Sequence, residues 1–444
     1  MKKIIIISLF AAFAFGANAQ SLDSLKAMAL RNSSSVITAQ RNVQKAEHQK
    51  KAAFTNYFPQ VSAIGFAFTL SEDLVDISVN PAEYIPQSAL PSLSQMLPPE
   101  ALGELSQPIE YKTLDNGIIT GVTALQPIFM GGQIVNGNRL AELGVDVSKI
   151  QLEDAVANND LQIENYYWQI VALKYKRQTI AVLDSMLKNM EKDAEAAVSA
   201  GVRQRNDLLQ VRLKQNELKT ASLELENGIR TLTLLLSNIV GVDADSLKVE
   251  VEITTDGFSE ILLSDTLKGI SGTTEYRLLQ KNLEAAQIQK KMTTGKNMPT
   301  VAVGAAYCYN RLMDKDIDFG ALFATVKVPI SGWWSGSHEM KMKKIDIQNA
   351  EDMLADNSEK LLIRAINSFS TVETAAQKVN VSYLSVSQSA ENLRLYTDFY
   401  QAGTCSMSDY LQAQSQYQNA TDTFAECFCN YQKAKAEYRK NTGE

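Results

Sequence analysis

The strongest constraint on this chain is that it repeats itself. SAGVRQRNDLLQ at 199–210 is matched 202 residues later by QAGTCSMSDYLQ at 401–412, with Ala, Gly, Asp, Leu and Gln at the same five places. Carried outward without a gap, that offset sets Pro127 on Pro329, Gly201 on Gly403, Asp207 on Asp409 and Gly241 on Gly443. A second offset, of 240, aligns QRNVQKAEHQKK at 40–51 with QKNLEAAQIQKK at 280–291, identical at six of twelve positions, and sets Pro59 on Pro299. The chain therefore reads as a tandem duplication, 20–241 and 262–444, with 242–261 as a linker. Repeats of this length are whole structural units, not solenoid turns.

Proline marks where the helices run. None lies between Pro127 and Pro299 or after Pro329, and a helix interior tolerates proline least. Residues 133–240 and 338–441 each predict a long antiparallel helical hairpin; 133–200 alone would reach about 100 Å at 1.5 Å per residue. Gly201 stands where a left-handed residue stops a helix. The next helix starts at Asn206-Asp207 in one repeat and Ser408-Asp409 in the other, and Ser406-x-x-Asp409 resembles a capping box. Leu208, Val211, Gln215, Leu218, Ser222 and Leu225 open a seam of 3-4 spacing that continues to Ile239, the pattern of coiled-coil packing. The matching register of repeat two, Tyr410 to Tyr438, alternates large aromatics with small residues, as interdigitating layers need. Cys427 falls in this seam and reads as a small filler.

Strand candidates lie between the helices. Residues 61–70 set Ile64, Phe66, Phe68 and Leu70 against Ala63, Gly65, Ala67 and Thr69; residues 301–310 set Val303, Tyr307 and Tyr309 against Gly304, Ala306 and Cys308. Large apolar against small is the alternation of a lipid-facing barrel strand, and also of a buried sandwich strand. The large phase slips by one position between the repeats, a slip a bulge would explain. The strand hairpin of repeat one, 60–127, is longer than that of repeat two, 300–329. Its excess, 73–115, holds six of the 10 prolines and is expected to form an irregular surface excursion.

Residues 1–19 read as a signal peptide: Lys2 and Lys3, an apolar run, then Ala17-Asn18-Ala19 before Gln20. No other apolar run reaches the ~18 residues of a membrane-spanning helix, so a membrane-crossing chain of this kind crosses as strands. The formal net charge of −7 and the lack of basic clustering argue against a nucleic-acid partner. With two histidines (His48, His338) and four scattered cysteines, no catalytic, metal-binding or cofactor-binding motif is legible. The expectation is no enzyme, no metal and no cofactor.

These residues together carry a resemblance. The chain resembles the TolC-like outer-membrane efflux proteins over essentially its whole mature length. The match rests on the duplicated order of helices and strands and on Phe58-Pro59-Gln60-Val61, Met298-Pro299-Thr300-Val301 and the run QPIFMGG at 126–132. It also rests on the tips Ala200-Gly201-Val202 and Ala402-Gly403-Thr404. The resemblance implies a mixed α and transmembrane β fold in which three chains form one tube. Four strands per chain make a twelve-stranded barrel, continuous with a long periplasmic α-helical barrel. It implies an outer-membrane channel of a tripartite efflux or type I secretion system, with a periplasmic adaptor and an inner-membrane pump of the resistance-nodulation-division or ABC type as partners. It places a periplasmic gate at Asp207, Asp409, Gln412 and Tyr400, with Arg203 and Arg205 as basic partners, and adaptor docking at the two tips. The family often has a basic gate residue where Cys405 stands and an acidic one at Gln412, and this chain departs from both.

Several residues carry a second reading. Asp207 and Asp409 serve equally as helix caps; Tyr400 as a core contact within its hairpin; Trp333 and Trp334 as core or as an interfacial aromatic belt. A periplasmic adaptor or coiled-coil structural protein is the alternative function, opposed by the two full repeats. The excursion 73–115 is expected outside the cell, because the helices occupy the periplasmic end.

Overall fold

In the computed structural model the described residues are 21–71, 75–86, 88–89, 91–92, 96–98, 104, 107–113, 116–250, 270–312 and 315–443. The signal peptide reading and all of 251–269 lie outside them. The chain divides into two compact units, one of 1–48, 142–286 and 346–444, the other of 49–141 and 287–345. Elements run α1 (Leu22–Asn32), α2 (Ser34–Phe54), β1 (Gln60–Thr69), β2 (Val75–Val79), β3 (Ile109–Thr113), β4 (Asn116–Phe129), α3 (Gln133–Ser199) and α4 (Arg205–Val240). The second half supplies α5 (Thr274–Lys296), β5 (Thr300–Leu312), β6 (Lys315–Lys327), α6 (Gly332–Gln401) and α7 (Met407–Thr442). No helix among the described residues is long and apolar enough to cross a membrane.

The first unit is built by helix seams. Every seam position of α4 is buried or half-buried, as is every one of α7 from Tyr410 to Tyr438, so the 3-4 spacing is expressed as packing. α7 buries a second face as well: Gln414, Thr421, Ala425 and Phe428 are buried, and the Phe428 ring meets Trp168 of α3 edge-on at 5.7 Å. The reason is position. α7 packs on α6 through Phe424, Tyr431 and Tyr438 and also on α3. Cys427 is half-buried beside that aromatic seam.

α1 is fastened to this unit by charge and by apolar burial. Leu25 and Ala29 pack with Ile163, Ile170, Leu236 and Val240. Glu164 of α3, only 5% exposed at its side chain, accepts from Lys26 of α1 at 2.5 Å and from Arg439 of α7 at 2.8 and 2.9 Å. A carboxylate that far from water needs such partners; removing one would leave a buried charge unpaired. Nearby, burial pushes the Asp160 carboxyl up, opposed by Lys26.

The second unit holds an antiparallel sheet in the order β1-β4-β5-β6. β1 pairs β4 from Gln60↔Leu125 to Thr69↔Asn116, and β5 pairs β6 from Thr300↔Lys327 to Leu312↔Lys315. β1 and β6 each have one ladder, so both outer edges lack a strand partner among the described residues.

The register corrects the reading of the slipped phase. β4 pairs β1 and β5 without interruption over 117–125, and the one irregularity lies lower, between Pro127 and Phe129. No bulge realigns the large residues. Ile64, Phe66 and Phe68 therefore share a face with Ile119, Phe319 and Phe323, while Tyr307 and Tyr309 share the opposite face with Val122, Asp316 and Asp318. The tyrosines are placed there by chemistry: Tyr307 donates to Asp318 at 2.8 Å and Tyr309 to Asp316 at 2.9 Å. On the first face, rings lie over glycines. A Cβ on Gly117 would come within 2.6 Å of Phe68, and one on Gly304 within 2.4 Å of Phe323.

The excursion 73–115 is not wholly irregular. β2 and β3 form a separate two-stranded ladder with Val75↔Thr113, Ile77↔Tyr111 and Val79↔Ile109. β-branched and aromatic residues opposite one another favour pairing, and the prolines cluster beyond the ladder.

Where β4 turns into α3, Gly131 takes φ 61° and lies against Gly295 at the end of α5. A Cβ on either would fall 2.1 Å from the other's carbonyl oxygen, so two backbones meet here only because both residues lack side chains. Gly295→Ala is expected to lower the thermal unfolding midpoint of the detergent-purified protein. Gly144→Ala, in the α3 interior with nothing within 4 Å, should leave it unchanged or raise it by removing about 1 kcal/mol of helix-propensity cost.

Candidate gate at the hairpin tips

The duplicated turn closes both long hairpins of the first unit in the same way. Gly201 has φ 74° and Gly403 φ 72°, a left-handed backbone that favours glycine. Gly201 N–H donates to Val198 O at 3.0 Å and Val202 N–H to Ala197 O at 2.9 Å; Gly403 N–H donates to Tyr400 O at 3.0 Å and Thr404 N–H to Phe399 O at 2.9 Å. Carbonyls that a helix end leaves unpaired are thereby satisfied. Ala200, Gly201, Val202, Ala402, Gly403 and Thr404 are all exposed, and Val202 offers a large apolar side chain at 76% exposure.

Beneath the tips the two hairpins share one core. Leu183, Leu187, Met190 and Ala194 of α3 pack with Leu208 and Val211 of α4, Leu393 and Tyr400 of α6, and Met407, Tyr410 and Ala413 of α7. Tyr400 is 8% exposed and lies 5.8 Å from the Tyr410 ring, packed in this shared core. Gln414, which the seam does not point to, is fully buried in the chain; its amide N donates to Leu183 O at 3.4 Å and its Oε1 has no hydrogen-bond partner among the described residues.

The helix starts after the two turns differ. Ser406 caps α7 and the capping box is complete: Asp409 N–H donates to Ser406 Oγ at 3.2 Å, while Ser406 N–H and Oγ–H donate to Asp409 Oδ2 at 3.1 and 2.6 Å. The Ser406 hydroxyl, then its backbone N–H, hold the Asp409 carboxyl below its ordinary value. α4 starts instead at Arg205 after Gln204, which makes no side-chain cap. Asp207 sits half-buried in its first turn. Of the paired aspartates, one is engaged in a cap and the other is not.

Arg203 joins the first tip to the second hairpin. Its guanidinium lies 4.7 Å from the centre of the Tyr400 ring and donates to Tyr400 O at 3.5 Å. Burial pushes the Tyr400 phenol up; the Arg203 charge opposes this and those of Asp207, Cys405 and Asp193 add to it. Burial also raises the Cys405 thiol, with Asp409 adding and Arg203 opposing. Cys405 Sγ lies 3.7 Å from Tyr396 O. Arg203, Asp207, Tyr400 and Cys405 thus form one electrostatic group, while Arg205 and Gln412 are exposed outside it. Between α3 and α4, Arg212 and then Gln215 hold the Glu191 carboxyl low, with Arg212 Nε donating to it at 2.7 Å.

The chain matches no protein-family model and no curated protein sequence. Solved structures do share its fold. The outer membrane protein VceC from Vibrio cholerae superposes with a TM-score of 0.74 at 15% identity, covering 95% of this chain and 96% of that one. The CmeC outer membrane channel of Campylobacter jejuni gives 0.73 at 13% identity, covering 97% and 90%. The open state of the MtrE outer membrane channel of Neisseria gonorrhoeae gives 0.69 at 13% identity, covering 95% and 88%. The TolC-like fold that the motifs imply is the fold of this chain.

Two expectations follow for the tips. A half-desolvated cation–π contact contributes on the order of 1 kcal/mol, so Arg203→Ala should speed amide exchange at 197–204 and 399–405 about fivefold, with Arg203→Lys between. Because the Asp409 carboxyl is depressed in the folded chain, its cap is fully present above the ordinary value of 3.8 and is lost as pH falls through the folded value. Amide exchange at 406–410 should therefore rise on acidification below that range, and Asp409→Asn should abolish the rise.

Proposed function

We propose that this protein is an outer-membrane channel of a tripartite export system, a passive conduit for substrates delivered by an inner-membrane pump through a periplasmic adaptor. The observation that carries the reading is a sheet whose two outer edges have no strand partner among the described residues. This four-stranded sheet also exposes large apolar side chains on both faces, Phe66 at 59% and Leu322 at 89% among them. In lipid such edges would strand backbone groups without hydrogen bonds. Closure against further copies removes them, and three chains supply the twelve strands of a barrel.

The helices support the same reading. α4 leaves Leu209, Leu213, Leu223 and Leu234 exposed on one face, and α6 leaves Ile363, Ile366, Val381 and Leu384 exposed. An apolar stripe on each flank is what ring closure between copies requires. The solved structures that share the fold are named as outer membrane channels, which supports the location and the transport role.

The hairpin tips are the gate in this reading. Ala200, Gly201, Val202, Ala402, Gly403 and Thr404 form the exposed edge on which adaptor hairpins dock. Arg203 on Tyr400 is the contact that holds a closed mouth, with Asp207 as the free carboxylate beside it. Asp409, Gln412 and Arg205 contribute charge or polarity at the rim. An adaptor that engages the tips opens the mouth by competing with that contact.

Planar-bilayer recording tests the channel directly: the purified protein should give discrete conductance steps, and a protein that never inserts or conducts is not a channel. Asp207→Ala with Asp409→Ala should reduce cation preference and block by divalent cations, because carboxylates crowded in a narrow ring attract cations. Unchanged selectivity and block would leave both aspartates a structural role only. Orientation is tested separately. With the native cysteines replaced, Ser92→Cys should react with an impermeant thiol reagent on intact cells; reaction only after outer-membrane permeabilisation would reverse the tube.

A further inference from the structure

The second unit carries a charge pattern that neither conduction nor gating uses. The helix turns next to the strands, residues 49–59, 128–141, 287–299 and 328–345, hold nine basic residues and a single carboxylate, Glu339, in a chain of net charge −7. That carboxylate already faces Lys296 at 3.1 Å. The sign reverses beyond these turns: Lys341, Lys343 and Lys344 of α6 are followed by Asp346, Glu351 and Asp352. α3 likewise passes from Arg139 to Glu142 and Asp146, and α5 from Glu284 to Lys290 and Lys291. Lys51, Lys291, Lys341 and Lys344 are all exposed.

The same turns expose aromatic rings. Phe54, Tyr57, Phe58, Phe129, Trp333 and Trp334 are 39 to 79% exposed, Trp334 the most. Trp333 is fixed in place by its indole N–H, which donates to Asn297 O at 2.9 Å. Trp334 and Lys341 lie seven residues apart, two helical turns, and so share one side of α6. Aromatic rings at headgroup depth with lysines reaching past them is the arrangement of a protein surface seated at a charged membrane interface.

We propose that these turns form a collar that binds anionic phospholipid headgroups of the periplasmic leaflet, with Lys51, Lys291, Lys341 and Lys344 contacting the phosphates and Trp334 and Phe58 at the glycerol level. The collar rests on the outer-membrane reading and adds a lipid preference to it. Its occupant follows from charge: a band this basic beside lipid-immersed strands is complementary to anionic headgroups and not to zwitterionic ones. Each lysine near an anionic surface contributes roughly a fivefold gain in affinity.

The test is native mass spectrometry of the detergent-purified oligomer titrated with phosphatidylglycerol or phosphatidylcholine. The wild type should retain phosphatidylglycerol preferentially. Combined Lys51→Gln, Lys291→Gln, Lys341→Gln and Lys344→Gln should weaken that retention by at least about tenfold, and the same four positions changed to Arg should preserve it. The four-fold Gln variant should leave the reversal potential in planar bilayers unchanged. Equal retention of the two lipids by the wild type, or full preference in the Gln variant, overturns the collar. So does a shifted reversal potential with lipid preference intact, because the lysines would then line the conducting path. Insertion into phosphatidylcholine bilayers without lipid preference removes the collar alone; failure to insert into any bilayer removes the channel reading and the collar with it.

Discussion

The backbone hydrogen bonds at the edges of one four-stranded sheet set the terms for everything else. β1 and β6 each offer a row of N–H and C=O groups to no strand among the described residues. In water such edges invite aggregation, and in lipid they are untenable. The proposed assembly with further copies of the chain removes both edges. The apolar stripes left on α4 and α6 state the same requirement in side-chain terms.

Duplication makes the completion economical, and divergence between the copies gives the two halves different tasks. The two tips share a left-handed glycine and the same pair of backbone bonds, yet the chemistry around them has separated. Ser406 and Asp409 satisfy each other, so the second tip has a rigid helix start. The first has no side-chain cap and places Arg203 on the Tyr400 ring of the other hairpin. The proposed gate would have one firm side and one side held by a contact of a size that a partner protein can outcompete. A single cation–π pair is of that size.

Much of this fold was legible because it is made of long, regular elements. The prolines bounded the helices, the glycines marked the tips, and the seam from Leu208 to Ile239 gave the packed flank. What stayed hidden depends on which element lies next to which. The second buried face of α7, with Gln414 and Phe428, appears only once α3 is known to pack there. The opposite facing of Phe66 and Tyr307 was visible as a slipped phase, but its meaning was not, because a strand pattern alone does not say which neighbour sets the register. The Arg203–Tyr400 contact joins residues 197 apart in sequence, and no spacing rule reaches that far. Asp207 and Asp409 look equivalent in the repeat and are separated only by the residues at their caps, Gln204 and Ser406.

In the proposed assembly one chain is an incomplete object. The molar mass of the protein part of the detergent-solubilised complex, from light scattering with refractive-index and absorbance detection, tests it most directly. A monodisperse particle of three chains is expected at concentrations where detergent micelles outnumber protein. A monodisperse single chain, stable and soluble without detergent, would contradict it.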